Sequence, residues 1–441
     1  MKKVLILAYD FPPYVSVGGL RPYSWYKYFK EFGLYPIVVT RQWGNKYGNH
    51  LDYIAPGESN ETIIEETEYG TIIRTPYKTN LSNRLLIKYG DAKFKLVRKL
   101  ITAYFEIMQF MLLIGPKSAL YFAAKEYLKK NKVDVIIATG EPFVLFKYAS
   151  KLSSKYRTPW IADYRDPWSQ NSVRSRNLML KYFNIFNEKR FLKNVEHITT
   201  VSDFVKSQIA SAVKSKTFSI HINGYDSDFL CKKVNQKEDV LSMCFAGTIY
   251  DWHPWKSFLT ICSDLIKLEL IDIEITFIGI NKVEEIKSYC FEKHFGNNFK
   301  IKFLNRIPNT MLLNKLMENN VLILFNDYSI MGTKIYDYLA SERTILFCYT
   351  QSEEAKILKN KYYPLVENPS FSTTQQENLI IQTNSGIPVR DTEHLKEVLL
   401  KLQAEFNENK KIDCASINTE QYSRHKQTQI FAENISIFLT N

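Results

Sequence analysis

Three loops gather side chains able to hold an anion or accept a sugar hydroxyl. The first, "YDFPPYVSVGGLRPYSWYKYF" (residues 9–29), sets two prolines, Gly18, Gly19 and Arg21 between an apolar run, Val4 to Ala8, and a helical face of Trp25, Tyr28 and Phe29. Adjacent glycines allow a tight turn and let a ligand reach the backbone. A strand, a glycine turn and a helix start together offer free amides to an anion. A wide turn in which the glycines serve only the backbone explains the same residues. The second, "FAGTIYDWHPWKSF" (245–258), ends an apolar run at Gly247 and Thr248 and leads to Lys256. Its ammonium holds a phosphate as a point charge, or is solvated like most lysines. The third, "NDYSIMGTKIYDYLASERTILF" (326–347), opens a helix with Gly332, Thr333 and Lys334 and places Asp337 one turn further on. Amides, a hydroxyl and an ammonium suit an anion there, and the Asp337 carboxylate suits sugar hydroxyls. A Thr333 cap with an Asp337–Lys334 pair is the simpler account.

Other loops add charge. "PWIADYRDPWSQN" (159–171) masses Asp163, Arg165, Asp166 and Trp168 where Pro167 stops a strand, and "GEPF" (140–143) contributes Glu141. Charges at a strand end are costly unless used or paired, and both readings stand. "NGYDSDF" (223–229) holds a D-x-D, Asp226 and Asp228. Some sugar transferases hold a metal on such a pair, but "NGYD" reads as a turn, so no metal site is expected. No G-x-G-x-x-G or P-loop lysine motif follows any strand, and Arg41 stands where a ribose-binding acid would end the second strand. Dinucleotide oxidoreductases and P-loop ATPases are thereby disfavoured.

These loops need strands to position them. Apolar runs at 4–8, 35–40, 134–139, 160–166, 197–202 and 218–224 alternate with helical segments. A polar stretch, 231–240, reads as a linker. Alternation resumes at 241–247, 273–279, 300–305, 320–325 and 344–348. The pattern predicts an α/β protein of two Rossmann-like parallel-sheet domains, 1–230 and 241–420. Ligands of such sheets bind beyond the carboxyl ends of the strands, so the chemistry belongs in a cleft between the domains.

The formal net charge of +12 calls for an anionic partner. No helix-turn-helix, zinc or RNA-recognition pattern is present, which leaves phosphates and anionic lipid rather than nucleic acid. Six cysteines without C-x-x-C or metal spacing read as reduced thiols of a cytoplasmic protein. "MKKVLILAY" breaks at Asp10 and Pro12 and is a first strand rather than a signal peptide. "LITAYFEIMQFMLLIG" (100–115) falls short of a membrane span. It follows Arg84, Lys88, Lys93, Lys95, Arg98 and Lys99. It reads either as a helix lying on an anionic membrane or as a core helix beside solvated lysines.

Taken in order, "DFPPYVSVGG", "DYRDPW", "TTVSDFVKSQI", "INGYDSDF", "FAGTIY", "GTKIYDYLASERTILF" and "YSRHKQTQIFAENI" resemble the family 4 retaining glycosyltransferases of the GT-B fold, over nearly the whole chain. The likeness is to bacterial members that build surface polysaccharides. It implies a terminal helix, within 421–441, that crosses back onto the first domain. It implies a nucleotide-diphosphate sugar donor and a glycan or polyprenyl-diphosphate-linked acceptor, at the inner face of the plasma membrane and without a metal. The Gly18 and Gly19 amides would meet the donor diphosphate. Gly247, Thr248, Lys256, Gly332 and Thr333 would surround it, with Lys334 catalytic alongside Arg165 and Asp166. The Asn305–Arg306–Ile307 backbone would face the base, and Asp337 the ribose. Arg165 and Asp166 would flank the transferred sugar, with Arg21, Glu141, Asp163 and Trp168 on the acceptor side. Departures are Ser329 where the family has Glu, Arg165 for His, and Thr248 for an arginine. A sugar-nucleotide epimerase of the same fold and a non-catalytic nucleotide-sugar binder are the alternatives.

Overall fold

The computed structural model describes residues 1–14, 16–44, 51–171, 177–213, 216–226, 234–296, 298–363 and 372–440. Asp228, Cys231 and the first three positions of the expected linker lie outside them. The chain divides into two compact units, Met1–Ile222 with His425–Asn441, and Asn223–Arg424.

The first unit is built on eight strands: β1 Lys2–Leu7, β2 Leu34–Arg41, β3 Ile63–Glu66, β4 Thr71–Thr75, β5 Val135–Gly140, β6 Trp160–Tyr164, β7 His197–Thr200 and β8 Thr217–Ile220. Their order is β3-β4-β2-β1-β5-β6-β7-β8. Val4, Leu5, Ile6 and Leu7 are wholly buried, as a central strand covered on both faces requires. The sheet is not parallel throughout, because β3 pairs antiparallel with β4 at one edge. The helix Arg424–Phe438 completes the core: Phe431, Ala432 and Ile435 pack with Val4, Ile6, Trp25 and Phe29. The Phe431 ring lies 5.1 Å from Trp25 and 5.9 Å from Phe29.

The second unit has six parallel strands: β9 Leu241–Ala246, β10 Ile273–Ile278, β11 Lys300–Leu304, β12 Val321–Phe325, β13 Thr344–Cys348 and β14 Gly386–Val389. Their order is β11-β10-β9-β12-β13-β14. The described part of the 231–240 stretch is fastened to this unit rather than free. Gln236 donates to the Ile412 carbonyl at 2.7 Å and accepts from Asn320 at 2.8 Å, and Arg343 donates to the Val234 carbonyl at 2.7 Å. The change of unit falls at Asn223, several residues before the linker read from composition.

In both sheets the strand order reverses at the centre, between β1 and β5 and between β9 and β12, and in the first sheet β3 and β4 also change order at the edge. Beyond such a reversal the following loops splay apart and leave a crevice. The topology therefore singles out the loops after β1 and β5 in one unit, and those after β9 and β12 in the other.

Candidate functional site

In the second unit the loop after β9 turns at Gly247, whose φ of +88° suits only glycine without strain. Lys334 begins the short helix Lys334–Ala340 that follows the β12 loop. A side chain added at Gly247 would meet the Lys334 Cε at 3.5 Å. The Lys334 ammonium donates to the Thr248 carbonyl at 3.2 Å and lies 4.1 Å from the centre of the Phe245 ring. Burial lowers it to about 8, with Asp327 opposing. It forms no ion pair among the described residues. The simpler reading of this loop is thus excluded: Thr333 makes no side-chain cap, and Lys334 reaches across to Thr248 instead of back to Asp337.

Asp327 and His253 lie behind Lys334, and neither was singled out from the sequence. The Tyr250 amide donates to His253 Nδ1 at 3.2 Å, which leaves the proton on Nε2, 2.8 Å from Asp327 Oδ1. Burial holds His253 neutral. Trp252 Nε1 donates to the same carboxylate oxygen at 3.1 Å, and the Asp327 amide donates to Gln376 at 2.8 Å. The cues were an acid two residues past a buried strand and a histidine in "DWHPW". Ser329 is buried, its hydroxyl 2.9 Å from that of Tyr363.

Asp337 is half-buried. Burial raises its carboxyl to about 6, with Arg424 opposing and Asp226 adding to the rise. Leu312, Leu313, Leu316, Asp226 and Arg424 line a small pocket with it, and Arg424 pairs with Asp226 at 3.6 Å. Asn305 and Arg306 are exposed beyond β11 and Ile307 is half-buried. The Arg306 backbone passes 3.3 Å from where Gly279 would carry a Cβ. Gly332 faces open space.

Lys256 does not join this group. It is exposed on the helix Trp255–Lys267, with its ammonium 5.6 Å from the Trp255 ring centre and 5.4 Å from that of Tyr289. Lys334 takes the place beside Gly247 that the sequence reading gave to Lys256.

The first unit uses its glycines differently: Gly18 and Gly19 do not form the expected turn but lie in the first turn of the helix Val17–Tyr28, capped by Ser16. The Gly18 amide donates to the Ser16 hydroxyl at 3.1 Å and the Gly19 amide to the Ser16 carbonyl at 3.1 Å. Neither amide is free for a diphosphate. A Cβ on Gly18 would sit 2.0 Å from Arg165 Nη1 and 2.8 Å from Asp10 Oδ2, and one on Gly19 3.3 Å from the Asp10–Phe11 backbone. Arg165 is held in that space by the Gly140 and Glu141 carbonyls, at 2.7 and 2.9 Å. Asp10 accepts from Ser16 at 2.7 Å on Oδ2, while its buried Oδ1 has no hydrogen-bond partner. Burial raises the Asp10 carboxyl, with Ser16 and Arg165 opposing. Asp166 keeps an exposed surface beside Arg165, and burial raises it too.

Three residues expected on the acceptor side serve the core instead. Arg21 and Asp163 form a buried pair at 2.9 Å, and Asp163 also accepts from Thr139 and Thr199 at 2.9 and 2.8 Å. Arg21 further donates to the His221 carbonyl. Trp168 is stacked on Phe143 at 5.0 Å and Phe110 at 5.2 Å. Of that group Glu141 remains at the loop, its carbonyl bonded to Arg165. Among the described residues no cluster of three or more His, Cys, Asp or Glu is set to hold a metal ion.

A family model described as Glycosyltransferase Family 4 matches residues 46–229. No curated protein is significantly similar in sequence. Solved structures align over almost the entire chain. A sucrose-phosphate synthase from Thermosynechococcus elongatus is 12% identical with a TM-score of 0.54, over 98% of this chain and 94% of its own. An α,α-trehalose-phosphate synthase (UDP-forming) from Burkholderia xenovorans, in complex with glucose-6-phosphate, is 9% identical with a TM-score of 0.57, over 100% of both chains. Anabaena HepE in complex with UDP-glucose is 10% identical with a TM-score of 0.51, over 99% and 100%. The fold is GT-B. In GT-B terms the family match lies almost wholly in the first unit, whereas Lys334, Asp327 and Asp337 all belong to the second.

Proposed function

We propose that the chain is a glycosyltransferase that moves a sugar from a nucleoside diphosphate sugar, of the UDP-sugar class, to a hydroxyl of a glycan or polyprenyl-diphosphate-linked acceptor. Lys334 carries the reading. It is a partly buried ammonium at a strand-order reversal, held by one carbonyl and one ring face and, among the described residues, paired with no carboxylate. A cation so placed is costly until an anion joins it, and a diphosphate supplies that anion. The family match over 46–229 and the fold likeness to HepE, crystallised with UDP-glucose, support the donor class.

In this reading the acceptor oxygen attacks the anomeric carbon, the bond from that carbon to the diphosphate oxygen breaks, and the acceptor proton passes to the departing phosphate. Attack on the same face retains the anomeric configuration. Lys334 neutralises the charge growing on the leaving group, the electrostatic contribution that weighs most in such transfers. Asp337 receives the ribose hydroxyls, and the 305–307 backbone meets the base. Arg165, Asp166 and the unpartnered oxygen of Asp10 serve the sugar and acceptor. No metal is essential. The acceptor's role in surface polysaccharide synthesis places the enzyme in the cytoplasm at the inner face of the plasma membrane.

A thermal-shift panel of nucleotide sugars tests the donor, because a ligand that binds only the folded state raises the melting temperature. Release of nucleoside diphosphate that depends on added acceptor tests the transfer. A UDP-sugar should shift the melting temperature with EDTA present. Absence of any shift, or activity lost in EDTA and restored by magnesium or manganese, would contradict the reading. The glucose-6-phosphate complex among the similar folds makes a sugar phosphate the competing acceptor. Buried Ser329, where the resembled family has an acid, favours a binder without transferase activity, which would show the shift and release nothing.

A further inference from the structure

The helix Lys95–Met111 shows two apolar stripes. The inner one, Ile101, Phe105 and Met108, is half-buried against the first unit. The outer one, Leu100, Tyr104, Ile107 and Met111, recurs at helical spacing and faces solvent: Leu100 is 65% exposed, Tyr104 53% and Met111 59%. The helix Leu178–Phe191 repeats the arrangement, with Tyr182 68% and Phe186 63% exposed in line with Leu178. The two helices touch, since the Phe110 ring lies 6.1 Å from Phe183 and 6.3 Å from Phe191. The first helix is anchored at its C-terminal end. Lys147, almost wholly buried, donates to the Gln109 and Leu112 carbonyls at 2.7 and 2.6 Å and so ties down the end of the first helix. Soluble surfaces seldom carry aligned apolar stripes of this size without a partner.

The charge around the face says which partner. Arg84, Lys88, Lys93, Lys95, Lys99 and Lys181 are exposed and form no ion pairs among the described residues. The acids nearby are engaged, Asp91 with Arg98 at 3.6 Å and Glu106 with Lys117 at 3.0 Å. A second copy meeting this face symmetrically would bring like charges together. A leaflet of anionic lipid instead offers phosphates to the lysines and acyl chains to the stripes.

We propose that the outer stripes of Lys95–Met111 and Leu178–Phe191 enter the headgroup boundary of an anionic bilayer, with Lys88, Lys93, Lys95 and Lys99 against the lipid phosphates. Arg98, which the sequence grouped with these lysines, is spent on Asp91 and takes no part. The seat deepens, and in that respect rests on, the membrane location proposed above, and does not depend on the donor chemistry.

Co-flotation of the full chain with phosphatidylcholine vesicles, with and without phosphatidylglycerol, tests the proposal. Binding should require phosphatidylglycerol and fall as salt rises. Each lysine near the surface contributes about fivefold, so Lys93→Glu with Lys95→Glu and Lys99→Glu should lose well over tenfold. Tyr182→Ser with Phe186→Ser, and separately Leu100→Ser with Ile107→Ser, should each lose about tenfold or more. Melting temperature and the response to a UDP-sugar should stay unchanged in all of them. Indifference of the wild type to phosphatidylglycerol at low salt, or wild-type binding by the stripe variants, overturns the proposal. Stripe variants that alter the hydrodynamic radius and not vesicle binding would assign the face to a second copy and equally overturn it. Intact vesicle binding without any donor response would leave the seat standing and remove the transferase reading.

Discussion

Beyond a strand that borders its strand-order reversal each unit places a glycine, Gly18 in the first turn of the helix Val17–Tyr28 and Gly247 in the loop after β9, and the two turns hold opposite contents. At Gly18 the room left by the missing side chain is occupied by Arg165 and Asp10, and the turn's amides are satisfied by Ser16. At Gly247 the near neighbour is the stem of Lys334, whose ammonium meets no anion among the described residues. A glycine at such a turn therefore does not announce a phosphate site. What matters is whether the protein's own charged groups have already filled the space and met one another. In the first unit they have, leaving one carboxylate oxygen of Asp10 over. In the second they have not.

The strongest way to break this contrast is Lys334→Ala. A charged hydrogen bond to phosphate is worth about 1.5–3 kcal/mol, so titration with a UDP-sugar should show affinity roughly 10–150-fold weaker, with the melting temperature of the free protein preserved or raised. Unchanged affinity would remove the distinction between the turns. Gly18→Ala probes the other side. The new methyl overlaps the tip of Arg165 and crowds the Asp10 carboxylate, so Arg165 loses its carbonyl anchors and the melting temperature should fall. Steady-state kinetics should show turnover about tenfold lower with donor affinity intact, the loss expected when one charge-assisted contact is misplaced. An equal loss of donor affinity would return the Gly18 turn to the donor site.

A smaller effect comes from pH. Burial lowers Lys334 to about 8 in the free protein, and a bound diphosphate raises it again. The charged form, which binds, dominates below that value and is lost above it. Donor affinity should be flat at lower pH and about threefold weaker at pH 8.5 than at pH 7.5, as a single titration at about 8 requires. His253 stays neutral across this range and adds nothing. Isothermal titration at several pH values checks it; affinity that rises with pH would overturn the assignment. The smallest effect is expected from Lys256→Ala, whose exposed ammonium leans on Tyr289. Donor affinity should stay within about twofold, as for a solvated surface charge. A loss matching that of Lys334→Ala would show that the helix start at Trp255 reaches the diphosphate after all.

The long apolar runs were legible because burial on both faces leaves a continuous signature, as in "KVLIL" and "VLILF". The strands that escaped notice are those whose surroundings erase it. β3 is an edge strand of alternating exposure ending in two glutamates, β4 stands between threonines, and β14 is four residues with a proline. The site was legible by segment and misread by residue. "FAGTIYDWHPWKSF" does line the Gly247 turn, but helix direction swings Lys256 away, and the cation arrives from a helix almost ninety positions later. Arg21 and Asp163 stand 142 positions apart, and only the fold reveals that they neutralise each other. Charge at a strand end signals a pair or a site, and sequence spacing alone does not say which.

The return of the helix Arg424–Phe438 to the first unit has a consequence for synthesis. A chain emerging from the ribosome normally matures domain by domain from its N-terminus. Here residues 1–222 emerge first but lack Phe431, Ala432 and Ile435, which seal Trp25 and Phe29. The contiguous 223–424 unit is complete before them. The earlier-made unit therefore cannot close its aromatic seam until the last helix has been made. Protease treatment of a chain truncated after residue 424 should find 223–424 resistant while 1–222 is cut, and resistance of 1–222 in that chain would refute this dependence.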